Sequence, residues 1–117
     1  KDAEAGITSD NLNMIVNELK EAGAEAISIN DERIINMTDI VSVNENTVIR
    51  VNQQRVVSPY VIKAIGNQTY LEGAISGNGG ECDKLEKLGH TVTITKSNKI
   101  QIKKYNKDLT SKYIKED

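Results

Sequence analysis

The chain has no phenylalanine and no tryptophan; its only aromatic residues are Tyr60, Tyr70, Tyr105 and Tyr113. Proteins that grip single-stranded nucleic acid usually stack bases on aromatic platforms, so a specific nucleic-acid partner is not expected. The core has to be aliphatic, packed from Ile, Val, Leu and Ala, and hydrophobic residues make up a lean 38% of the chain. Cysteine occurs once, at Cys82, which rules out an internal disulfide and leaves the redox compartment open. Histidine also occurs once, at His90. One soft ligand of each kind is too few for a zinc site, and no other metal or cofactor is expected. No apolar run approaches the roughly 20 residues that span a bilayer. The first residue is Lys1 rather than Met, from which we expect a processed or truncated product with an anchor upstream.

What is present fits one domain: 117 residues can bury a single core but not two. We read residues 1–8 as a flexible start, 9–105 as one α+β domain and 106–117 as a charged tail. Net charge is −2, unevenly spread: from Lys96 onward seven lysines face three carboxylates. That basic end offers a contact for an anionic ligand or membrane surface, although a solvated tail is the simpler reading.

Leu12, Ile15, Val16, Leu19 and Ala22 recur at the spacing of one helical face, with Ser9 or Asp10 as N-cap and Gly23 past the end. In "AEAISIN", Ile27 and Ile29 face one way and Ala24, Ala26 and Ser28 the other; "NDER" then turns into Ile34 and Ile35. "IVSV", "TVIRV" and "RVV", separated by "NEN" and "NQQ", predict a short antiparallel meander. After Pro59, "YVIKAIG" reads as a buried strand, Asn67 as the cap of a helix carrying Leu71, Ala74 and Ile75, and "CDKLEKLG" as another short helix. "HTVTIT" and "KIQIKKY" alternate, which predicts a closing hairpin with Val92, Ile94, Ile100 and Ile102 inward and "KSN" as its turn. The order helix, glycine, strand, turn, strand occurs from Asn17 and again from Asp83, which raises the option of an internal duplication.

"AISGNGGECDKLEKLG" has the glycines of a phosphate loop but neither the Walker lysine and hydroxyl nor the dinucleotide spacing after a strand. Gly77, Gly79 and Gly80 are therefore read as a flexible helix-to-helix loop, a hinge or C-cap, with Glu81 and Asp83 repelling anions. Cys82 and His90 lack an oxyanion-hole signature, and Ser76 in "GAISG" lacks nucleophile-elbow spacing, so no catalytic residue is assigned. Asp31, Glu32, Asp39 and Glu45 fall in turns and read as solvated. The best binding feature is Arg33, Arg50 and Arg55, all of the chain's arginines, on the expected hairpins. Guanidinium groups match carboxylate or phosphate in a bidentate way. With Asn52 and Tyr60 they form the candidate contact set, against the alternative that they only pair with nearby Glu32, Asp39 or Glu45.

"NELKEAGAEAISINDERI" and "TVIRVNQQRVVSPYVIKAIGNQTYLEGAI" resemble the bacterial family called domain of unknown function 881, over roughly residues 11–103. The likeness rests on Gly-Ala-Glu-Ala followed by Ile-Asn and Arg, the Val-Asn turn, and Pro-Tyr-Val-Ile leading to Ala-Ile-Gly. Gln53 stands where the family often has a glycine, which implies a looser hairpin tip. The resemblance implies an N-terminal membrane anchor and coiled coil ahead of an extracytoplasmic domain, in Gram-positive bacteria and often beside cell-division genes; it supplies no catalytic residue. The expected architecture is α+β, a mixed but largely antiparallel sheet with two or three helices mainly on one face, loosely ferredoxin-like. The expected role is a non-catalytic interaction module, self-associating or docking a protein partner; an anionic small-ligand sensor is the alternative.

Overall fold

The computed structural model describes residues 6–43, 48–97 and 99–102. The chain folds as α1 (Ser9–Glu21), β1 (Ala26–Ile29), β2 (Glu32–Arg33), β3 (Ile40–Val43), β4 (Val48–Val51), β5 (Gln54–Val56), β6 (Ile62–Ile65), α2 (Gln68–Ser76) and α3 (Glu81–Lys87). The class is α+β, as the pattern predicts, and every strand pair among the described residues is antiparallel. The strands divide into two three-stranded sheets, β2-β1-β6 (sheet A) and β3-β4-β5 (sheet B).

α1 starts one residue earlier than the spacing suggests. Thr8 is the cap: its hydroxyl accepts from the Asn11 amide at 3.3 Å, while the Asn11 side chain accepts from the Thr8 amide at 2.8 Å. This reciprocal pair satisfies two otherwise orphaned donors. Ser9 instead uses its backbone amide to reach the Ser42 hydroxyl at 2.9 Å, and Asn13 donates to the Ile40 carbonyl at 3.2 Å, fixing α1 to β3. Leu12, Ile15, Val16 and Leu19 are buried as one stripe. They join Ile27, Ile29, Ile49, Val51, Leu71 and Leu85 in a single aliphatic core.

Gly23, with φ of +92°, ends α1 in a conformation that a side chain disfavours. Gly66 matters for a different reason: a Cβ there would lie 3.2 Å from the Gly23 carbonyl oxygen and 3.4 Å from the Ala24 Cα. The end of β6 therefore packs backbone to backbone on the turn after α1, where the Glu25 amide donates to the Ile65 carbonyl at 2.6 Å. Asn67 caps α2, as expected, by accepting from the Tyr70 amide.

The C-terminal hairpin is where the structure departs from the pattern. Residues 91–97 and 99–102 form no strand. Val92 is half-buried against the core, whereas Ile94 is exposed. The segment is held to α2 by Gln68 Nε2 donating to the Ser97 carbonyl at 3.0 Å and by a 3.3 Å Lys96–Glu72 ion pair. Ile100 and Ile102 share a hollow with Ser28 and Lys63 on the small-residue side of β1. Among the described residues no strand follows α3, so the second copy of the helix-strand-strand unit is not realised there. The "NEN" turn with Glu45, the residues beyond 102 and the first five residues lie outside the described residues, and so does Asn98 of the "KSN" turn.

Candidate functional site

Two tight hairpin turns organise the binding residues. Asn30 and Asp31 join β1 to β2 with φ of 48° and 71°; Asn52 and Gln53 join β4 to β5 with φ of 53° and 68°. Left-handed geometry at both corners is what a two-residue type I′ turn requires, and asparagine is among the side chains that tolerate it. Gln53 adopts this geometry although its side chain lacks the freedom of a glycine.

Each asparagine also makes a tertiary link. The Asn52 amide nitrogen donates to the Arg33 carbonyl at 2.7 Å, tying sheet B to β2, and Asn52 is only 7% exposed. Asn30 donates to the Val57 carbonyl at 2.9 Å and accepts from the Val61 amide at 2.7 Å, tying the other turn to the chain entering β6. Asn52 is therefore a buried strut beneath the hairpin surface.

The five candidate contact residues are not gathered in one place. Arg50 and Arg55 are directly opposite each other on β4 and β5, both exposed, with Val41 opposite Arg50 on β3 at 43% exposure. Ile49, Val51 and Val56 point the other way and are buried, so the two guanidinium groups stand on the outer face of sheet B. Among the described residues no carboxylate forms an ion pair with either. Arg33 belongs to sheet A, where it is half-buried on β2 opposite Ser28. Tyr60 is half-buried against the core, and burial pushes its hydroxyl pKa up. Sequence spacing had no means of separating these positions, because it does not reveal which hairpins share a sheet.

A hollow of about 590 Å³ opens between β6, the three helices and residues 91–97. Its wall is mostly aliphatic and carries no arginine. Cys82 and His90 both border it. Burial, reinforced by Glu18, Glu86 and Glu81, pushes the Cys82 thiol up, which opposes thiolate formation and so opposes use as a nucleophile. The hollow had one signal in the sequence, the alternating pattern of residues 91–94, whose meaning depends on a neighbour that the sequence does not name.

The glycine loop joins α2 to α3, as expected, with Gly77 as the C-cap of α2 and Gly80 as the N-cap of α3. Its amides are already engaged: Gly79 donates to Asp83 at 2.8 Å and Glu81 to Glu18 at 3.1 Å. The Gly79 amide, then Lys87, holds the Asp83 carboxyl below its ordinary value. Asn11 donates to Glu81 at 2.7 Å, so a polar cluster absent from the sequence-based reading locks α3 onto α1. The chain's own carboxylates occupy the positions an anion would need.

Residues 1–115 match the family described as "Bacterial protein of unknown function (DUF881)". Similar curated proteins include UPF0749 protein Mb1856 of Mycobacterium bovis and UPF0749 protein Rv1825 of Mycobacterium tuberculosis, each 29% identical over 103 residues, covering 86% of this chain. The chain spans 35% of the length of these relatives. A similar solved structure is the crystal structure of an uncharacterized conserved protein from Mycobacterium tuberculosis. It is 34% identical with a TM-score of 0.65, and the match covers 72% of this chain and 60% of that one. The chain belongs to the DUF881 family of bacterial proteins of unknown function.

Proposed function

We propose that this region is a non-catalytic protein-interaction module and that the outer face of sheet B is its contact surface. The observation that carries the reading is the Arg50–Arg55 pair. Like charges directly opposite across an antiparallel ladder destabilise a sheet, so their placement side by side beside exposed Val41 suits an acidic partner that neutralises both. The partner contemplated is an acidic protein surface with an apolar spot to cover Val41. The family resemblance supports placing the module on the extracytoplasmic side of a membrane-anchored envelope protein with a division-related partner. The longer relatives leave room for such an anchor. The anion-sensor alternative has less support, because the hollow that would take a small ligand has no arginine in its wall.

The test is photo-crosslinking in cells from position 41 of the full-length protein, with and without the double charge reversal Arg50→Glu and Arg55→Glu. A discrete crosslinked protein that disappears in the double variant, while the protein level is unchanged, supports the reading. Crosslinking unaffected by the reversal refutes it.

A further inference from the structure

We propose that the outer edge of β6 is a docking site for an extended strand, supplied by the part of this protein that precedes residue 1 in the full-length chain. Such a strand fills the hollow between β6 and residues 91–97 and becomes a central strand of sheet A.

Backbone parity defines the edge. The Asn30 amide donates to the Val61 carbonyl at 2.8 Å, and the β1–β6 register pairs Ser28 with Lys63 and Ala26 with Ile65. Hydrogen bonding alternates along an antiparallel ladder, so Lys63 and Ile65 direct their backbone groups toward β1. Ile62 and Ala64 then direct theirs to the opposite side. Among the described residues no strand lies along that side. Natural sheets shorten, charge or cover such edges. Here the edge borders a hollow of about 590 Å³ with an aliphatic wall including Leu12, Ile15 and Leu71.

Connectivity identifies the occupant. α1 leads into β1, and Ile7, just ahead of its Thr8 cap, already lines the hollow. A strand preceding α1 and lying on β6 would run parallel to β1, with β6 between them. β6 itself leads through α2 and α3 to residues 91–97, which also border the hollow. One inserted strand therefore completes two crossovers at once, each skipping a single strand, the split arrangement of ferredoxin-like folds. The order becomes β2, β1, β6, the docked strand, then residues 91–97. The alternation of Val92 and Ile94 acquires a reason in that order. Relatives in which this region makes up 35% of the length carry ample chain outside it, and a tethered strand acts at high effective concentration.

Hydrogen exchange on the full-length gene product, compared with the chain of residues 1–117, tests this. In the full-length protein the Ile62 and Ala64 amides should exchange on the order of 100-fold more slowly than in the shorter chain, with Lys63 and Ile65 protected in both. Cys82, which borders the hollow, should react with a thiol reagent more slowly in the longer protein. Ala64→Pro in the full-length protein removes an outward donor and should return Ile62 to fast exchange while Lys63 stays protected. Equal exchange of Ile62 and Ala64 in both proteins overturns the proposal. So does protection already present in the shorter chain: if independent of concentration it would show that a segment within residues 1–117 pairs with β6, and if it grew with concentration it would show a second copy there. A gene product beginning at residue 1 also overturns it.

Discussion

Replacing Asn52 with alanine separates a structural strut from a contact residue. The wild-type side chain is 7% exposed and its amide donates to the Arg33 carbonyl at 2.7 Å. Truncation removes that hydrogen bond from a part-buried position, a cost of about 1–3 kcal/mol. It also places alanine at φ of 53°, which asparagine tolerates and alanine does not, at about 1 kcal/mol. The combined loss is roughly 3 kcal/mol, which for a domain of this size lowers Tm by at least about 10 °C. Urea and thermal unfolding followed by far-ultraviolet circular dichroism measure it, since the chain has no tryptophan. Asn52→Gly keeps the left-handed corner and loses only the hydrogen bond, so it should be milder than alanine by about 0.5–1 kcal/mol after allowing for glycine's unfolded-state entropy. An alanine variant within about 0.5 kcal/mol of the parent would refute the strut and return Asn52 to the surface.

Gln53→Gly should stabilise the chain by about 0.5–1 kcal/mol, because it relieves a φ of 68° in the same turn; destabilisation in urea would contradict the turn geometry. Arg50→Glu turns a like-charged cross-strand pair into an opposite one and should raise stability by about 0.2–1 kcal/mol at low salt, even as it weakens partner crosslinking. The Gly79 amide and Lys87 hold the folded-state pKa of Asp83 below the ordinary carboxylate value, so its stabilising contribution is present at neutral pH and is lost as pH falls through the acid range. Asp83→Asn should therefore lower stability at pH 7 and flatten the acid limb of the pH profile; parallel profiles would count against the capping role. Cys82, with its thiol pushed up by burial and three carboxylates, should label at pH 8 at least about tenfold more slowly in the folded chain than in urea.

Most elements were legible because their signals are local. A stripe at helical spacing, a capping asparagine three residues ahead of a free amide, and paired short strands around Asn-containing corners all act over a few residues. The α1 cap moved to Thr8 because Asn11 answers it reciprocally, which a list of cap-favouring residues does not weigh. The binding set was less legible. Turn residues are usually polar and exposed, and nothing near Asn52 in sequence indicates that its amide reaches back to residue 33, 19 positions away. The hairpin pattern places Arg33 with Arg50 and Arg55 on one sheet, whereas the structure divides the strands into two.

The alternation at residues 91–102 failed for a reason that bears on function. Period-two patterning specifies which side chains share a face; it says nothing about which backbone lies alongside. A strand exists only where its amides and carbonyls find a parallel or antiparallel neighbour, and residues 91–97 face a hollow where that neighbour would run. Among the described residues the outward groups of Ile62 and Ala64 on β6 likewise have no strand beside them. The docked strand proposed above would account for both observations at once. The segment that supplies it would couple the outer parts of the protein to the core on which the Arg50–Arg55 surface is built.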